Sequence, residues 1–190
     1  MSHLTKMAIA QSLKNLLQQK PRNKITVSEI TEDCGINRMT FYYHFKDIYD
    51  LVEWICQEDV RTILKKNSIY TTWQQRLLEI FAAVQENKTF IMNVYRCVHQ
   101  EQLEKYLKPL LDDLVLTVIR QNMAGRTVPE VDQAFIARVY TSIFLGVMLD
   151  WVKEDMCVDP RQIVDRLGIL LQDTIPAALE RFQISSFSAP

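Results

Sequence analysis

Apolar side chains return three or four positions apart along almost the whole chain, and that period admits helices and little else. Met7, Ala10, Leu13, Leu16 and Leu17 form one such stripe, predicting a first helix over roughly residues 3–20 that Pro21 stops. Only four of the 190 residues are glycine and six are proline, too few for a turn-rich β architecture. The expected fold is all-α. With 48% hydrophobic residues, the chain can bury one ordinary core or a small domain joined to a larger one.

Local signals divide the chain. "TVSE" at Thr26–Glu29 is a capping box that starts a second helix at Val27, and Gly35 can end it in the left-handed conformation. Asn37 then caps a short third helix and Asp47 a long fourth one, which carries Leu51, Val52, Ile55, Val60, Ile63 and Leu64. Further helices are predicted over roughly 71–87, 88–100, 103–124, 129–154 and 160–183, with breaks at "ENKT", before Leu103, at "AGRTVP" and at "CVDP". A polar tail after Gln183 is expected to fray. There is no internal repeat.

The segment "ITEDCGINRMTFYYHFKD", Ile30–Asp47, concentrates chemistry in a way that neither a core helix nor an ordinary surface helix explains. A helix, a glycine turn and a second short helix make a helix-turn-helix, whose second helix enters the major groove of double-stranded DNA. Ile30, Cys34, Ile36, Phe41 and Phe45 suit the packing against the first helix. Asn37, Arg38, Thr40, Tyr42, Tyr43, His44 and Lys46 remain for the outer side or the helix ends. Arginine and asparagine can read guanine and adenine edges, whereas hydroxyl, imidazole and ammonium groups suit phosphate oxygens. The free N–H groups at the start of the second helix, with the Thr26 hydroxyl, offer a further phosphate contact. Phe41 and Phe45 are read as core.

The stretch "TVSEITEDCGINRMTFYYHFKDIYDLVEWI" resembles the TetR family of bacterial transcriptional regulators, with Thr40, Tyr42, His44 and Phe45 in the places of its Thr-x-Tyr-x-His-Phe core. The likeness covers roughly residues 5–55. It implies that Thr40 and Tyr42 contact DNA, that His44 and Lys46 approach phosphate, that Phe45 anchors the recognition helix, and that residues 37 and 38 set base choice. Members often carry a lysine at the start of the fourth helix; this chain has Ile48 there. Within the family the stretch is most similar to regulators of dihydroxyacetone kinase operons, some of which are activators working with a partner protein. The resemblance implies a DNA-binding domain over 1–47 and a helical effector-binding and dimerisation domain over 48–190.

In that larger part, "FIARVYTSIFLGVMLDWVKE", Phe135–Glu154, is apolar over more than one face, too much for a helix with one side in water. Phe135, Val139, Gly146, Val147 and Trp151 are candidates for a dimer interface, together with Ile163, Leu167, Leu170 and Leu171 of the last helix. The competing reading buries both stripes inside one subunit. Phe81, Phe90, Tyr95, His99, Tyr140 and Phe144 could line a chamber for a small-molecule effector, although aromatics at helical spacing more often fill a core. Cys97 and His99, two apart on a helix, point to different faces and make no metal site.

Charge and composition narrow the function. Net charge is −1, but residues 1–50 carry seven bases against five acids, leaving +2 there and −3 beyond. Four scattered cysteines suggest reduced thiols, and neither an export leader nor an apolar run of ~18 residues is present, so a cytoplasmic chain without a membrane span is expected. Three histidines and no phosphate loop, nucleophile triad or carboxylate pair leave no catalytic constellation and call for no cofactor. The leading expectation is a homodimeric regulator, a repressor before an activator, reading a palindromic operator under control of a small molecule. The alternative is an adaptor or co-activator that works through protein–protein contacts and binds DNA weakly or only with a partner.

Overall fold

A computed structural model describes residues 2–65, 72–97, 100–123 and 125–187 of the chain, and those residues form helices without a strand. In order they are α1 (Ser2–Gln19), α2 (Val27–Asp33), α3 (Arg38–His44), α4 (Ile48–Lys65), α5 (Trp73–Glu86), α6 (Lys88–Cys97), α7 (Gln100–Asn122), α8 (Glu130–Lys153), α9 (Pro160–Leu170) and α10 (Thr174–Phe187). A 3-10 turn, Arg22–Lys24, follows α1.

The chain separates into two compact units, Met1–Thr62 with Asn87–Tyr106, and Ile63–Glu86 with Leu107–Pro190. In the first, α1 packs on α2 and α6, and α2 on α3. Ile9, Leu13, Ile30, Phe41, Leu51, Ile55, Ile91 and Leu103 fill its core. Met7 faces outward and Ile9 takes its place in the apolar stripe of α1. The Ser12 hydroxyl donates to the Ile30 carbonyl at 3.1 Å, and Lys14 reaches Asp59 of α4 at 2.9 Å.

In the second unit α5 packs on α9 and α8 on α10. Trp151 lies edge-on to Phe81 at 4.8 Å and donates its indole N–H to the Val158 carbonyl at 2.8 Å. The buried Arg76 guanidinium lies 3.6 Å from Asp113 of α7, and Thr141 of α8 donates to Asp112 at 2.8 Å. Among the described residues α8 is the helix long and apolar enough to cross a bilayer by length and composition, yet one of its faces, including Ile136, Tyr140, Phe144 and Met148, is buried.

Two features of the C-terminal segment depart from the sequence expectation. The single helix over 160–183 is two, because Asp173 takes a left-handed conformation with φ 55°. Pro176 supplies the reason: inside one continuous helix it lacks an N–H for the carbonyl four residues back and its ring collides with it. Restarting the helix at Thr174 moves Pro176 into a first turn, where no such N–H is needed. The second departure is that α10 continues to Phe187, past Gln183.

The helix-turn-helix is built by local chemistry. The Glu29 N–H donates to the Thr26 hydroxyl at 3.3 Å and the Thr26 N–H to the Glu29 carboxylate at 2.9 Å, closing the capping box. At the other end of α2 the Ile36 N–H reaches the Thr31 carbonyl at 2.9 Å and the Gly35 N–H reaches Glu32 at 3.3 Å, a Schellman stop around Gly35 with φ 69°. Beyond its own chain neighbours no atom lies within 4 Å of where a Gly35 side chain would begin, so it is the backbone conformation and not lack of space that favours glycine. Gly35→Ala is therefore expected to lower stability by about 1–2 kcal/mol in urea unfolding, and Gly35→Asn by less. Alanine matching the wild type would remove the left-handed requirement.

A hydrogen bond from Lys20, then the Thr26 N–H and hydroxyl, hold the Glu29 carboxyl down to about 2 from its ordinary 4.5. A depressed acid stabilises the fold fully above its unfolded value and loses that contribution as pH falls through its folded one. Wild type is expected to melt above Glu29→Gln at pH 6, with the gap closing between pH 4.5 and 2. A gap unchanged at pH 2 would contradict this.

Candidate nucleic-acid interface

Helix α3 has seven residues, and its two ends are set differently. Asn37 caps the start: its Oδ1 accepts from the Thr40 N–H at 2.8 Å and from the Thr40 hydroxyl at 3.0 Å. At the far end the Phe45 backbone is extended, and its ring sits 5.8 Å from Phe41 and 5.9 Å edge-on to Trp54 of α4. The Lys6 ammonium lies 5.3 Å above the Phe45 ring. Phe41 is 0% exposed, so one side of α3 is fixed to the core.

The other side is open. Arg38, Tyr42, Tyr43 and Lys46 are exposed, and Thr40 and His44 are half-buried, with His44 edge-on to the Tyr43 ring at 5.0 Å. Asn37, Met39, Thr40, Tyr42 and Tyr43 line a shallow depression of about 520 Å³ on this face. The structure thus gathers the predicted residues 37, 38, 40, 42, 43, 44 and 46 around one short helix. Thr26 lies apart from them, at the start of α2.

Two predicted contacts are already engaged within the chain. Reading adenine with asparagine needs an oxygen to accept and a nitrogen to donate. Both acceptor positions of Asn37 Oδ1 are taken by Thr40, which leaves its amide N–H groups alone for an outside partner. The Thr26 hydroxyl likewise donates to Glu29 at 3.0 Å. Among the described residues Arg38 has no such tie, and its fork is the group here best shaped for a guanine edge.

Ile48, at the start of α4, is 8% exposed and belongs to the core. The turn before it is held by acids: Asp47 accepts from the N–H groups of Tyr49 and Asp50 at 2.7 and 2.9 Å, and Asp50 accepts from the Lys46 N–H at 2.9 Å. The residue that the sequence reading passed over is Met39, 79% exposed amid the polar tips. Its distance of two positions from Phe41 was the available signal, since two helical steps place it on the opposite face.

The remaining candidates divide between the units. Phe90, beneath the Lys14 ammonium at 5.5 Å, and the half-buried Tyr95 belong to the first; Phe81, Tyr140 and Phe144 are buried in the second, Phe144 against Trp73 at 5.6 Å. His99 lies outside the described residues. Among those described, no group of His, Cys, Asp and Glu is placed to hold a metal, and Cys34, Cys56 and Cys157 are free thiols. Of the dimer candidates, Phe135, Val139, Gly146 and Leu170 are exposed, and Val147, Ile163 and Leu171 half-buried. Trp151 and Leu167 are instead buried within their own unit, Trp151 held there by its bond to Val158.

Comparison with known proteins fits this architecture. The family described as "Bacterial regulatory proteins, tetR family" matches residues 9–55, and "Transcriptional regulator C-terminal region" matches residues 71–173. The HTH-type dhaKLM operon transcriptional activator DhaS of Lactococcus lactis subsp. lactis (strain IL1403) is 33% identical over 94 residues, which span half of this chain and half of that relative. The solved structure of the dihydroxyacetone kinase operon activator DhaS superimposes with a TM-score of 0.70 at 23% identity, covering 94% of this chain and 98% of that one. NalD, the secondary repressor of the MexAB-OprM multidrug efflux pump in Pseudomonas aeruginosa, gives 0.59 at 16% identity with the same coverage. At those identities the two structures share the fold. A transcriptional-regulator match across more than half the chain, joined to the matched helix-turn-helix, establishes that the chain belongs to the TetR family of bacterial transcriptional regulators.

Proposed function

We propose that this regulator works as a homodimer on a palindromic operator, with α3 of each subunit in the major groove of one half-site. The observation that carries this is the outward side of α3, where Arg38, Tyr42 and Tyr43 are exposed on a helix whose opposite side is locked into the core. Arg38 supplies base choice, and Tyr42, Tyr43, His44 and Lys46 hold backbone oxygens. Residues 1–47 carry this task, and residues 48–190 the pairing of subunits and the response to a small molecule. Half-sites then lie about one helical turn, ~34–36 Å, or a multiple apart.

Pairing falls to the exposed side of α8 and the end of α9. Val131, Phe135, Val139 and Gly146 recur at helical spacing, and Ile169 and Leu170 lie bare at the end of α9. An effector acts by favouring one separation of the paired recognition helices over another, since a molecule indifferent to both shifts nothing. Occupancy of the operator gives repression. A second reading, activation with a partner protein, draws its sign of regulation from the DhaS relative, a transcriptional activator, and its weak DNA grip from Ile48, an apolar side chain that can hold no phosphate.

Both readings meet one test. Arg38→Ala with Thr40→Ala is expected to weaken binding to DNA flanking the protein's own gene by about 10- to 100-fold in anisotropy titrations, with the dimer intact in sedimentation. Unchanged affinity would reject direct readout, and a reporter that falls rather than rises on deletion of the gene would select the activator. For the dimer, Gly146 is exposed and a Cβ added there meets no side chain or neighbouring element within 4 Å, so Gly146→Phe starts out in open space. Sedimentation velocity should show it shifted towards monomer at unchanged helicity. Wild-type self-association in that variant would clear Gly146 from the interface.

A further inference from the structure

Met39 carries the one large apolar side chain on α3 that neither packs into the core nor ends in a hydroxyl. It is 79% exposed, whereas Phe41 two positions on is 0% exposed. Two helical steps turn about 200°, so Met39 points almost directly away from the core that holds Phe41. It sits in the shallow depression with Thr40, Tyr42 and Tyr43, and Arg38 precedes it in the chain.

A thioether donates no hydrogen bond and accepts only weakly, so Met39 is useless towards phosphate. What it offers is a long, unbranched, adaptable apolar tip. In the major groove the apolar feature that distinguishes one base pair from another is the C5-methyl group of thymine. We infer that Met39 is a specificity-determining residue that reads a thymine C5-methyl in each operator half-site. This rests on the DNA-binding role proposed above and adds to it a defined base and a defined group on that base. Arg38 and Met39 then divide the readout: the guanidinium takes polar edges and the thioether takes the methyl.

The test uses the full chain and a random-sequence duplex library. From the enriched duplex, each dT of a half-site is replaced singly by dU, which removes the methyl and leaves every hydrogen-bonding edge unchanged. Titration by anisotropy is expected to find a position where dU weakens the wild type about four-fold, the worth of one buried methyl group. Met39→Ala should bind the dT and dU duplexes equally at that position, and Met39→Leu should still tell them apart. The proposal is overturned if no replacement weakens binding, or if Met39→Ala keeps the wild-type preference. A library that enriches no sequence would reject operator binding itself, and the methyl readout with it. Because the side chain is so exposed, neither variant disturbs the fold.

Discussion

The contact of the Phe45 ring with the Trp54 indole, under the Lys6 ammonium, decides where the outward side chains of α3 can be. Helix α3 is two turns long, and a helix that short does not persist in water by its own hydrogen bonds. Its orientation must come from tertiary contacts, which Phe41 and Phe45 make on one side. Burying an aromatic ring contributes ~2–3 kcal/mol, comparable to everything the backbone of so short a helix could supply. The outward side is then defined by default, as whatever lies opposite those two rings.

Rigidity is distributed unevenly over the interface. Thr26, Asn37 and Thr40 direct their polar atoms into caps, so their positions are set before any partner arrives. Arg38, Met39 and Tyr43 extend from that fixed frame into solvent. Such a division lowers the ordering cost of recognition, because the backbone geometry is settled and only a few long side chains remain to be immobilised. It also explains why a residue can look like a contact in sequence and act as a brace in the structure: Asn37 holds α3 with the same oxygen that adenine reading requires.

What was legible in the sequence was local. The capping box at Thr26, the stop at Gly35 and the Asn37 cap depend on neighbours within a few positions, and each forms. The core roles of Phe41 and Phe45 followed from spacing. The break before Thr174 was also written locally, in Pro176, but a regular leucine stripe running through it concealed the signal. Other features depend on partners far along the chain. Nothing near Phe90 shows that it packs with α1, and nothing near Trp151 shows that its indole is tied to Val158. A period of 3.6 says that a face is apolar, not which surface covers it. That is why the α8 candidates split between core and surface.

The nearly neutral charge of the chain can be understood from where its ions go. Lys14 is paired with Asp59 and Lys20 with Glu29, so these cations are compensated before any phosphate approaches. On the other side, the Asp47 and Asp50 carboxylates turn onto backbone N–H groups at the start of α4, where they balance the helix dipole. Lys24, Arg38 and Lys46 stay exposed. Counterion release responds to the cations that meet phosphates, and at physiological salt charges more than about 8 Å away are largely screened. A chain of net charge −1 thus still carries exposed cations beside α3, because the whole-chain sum says nothing of where each charge sits.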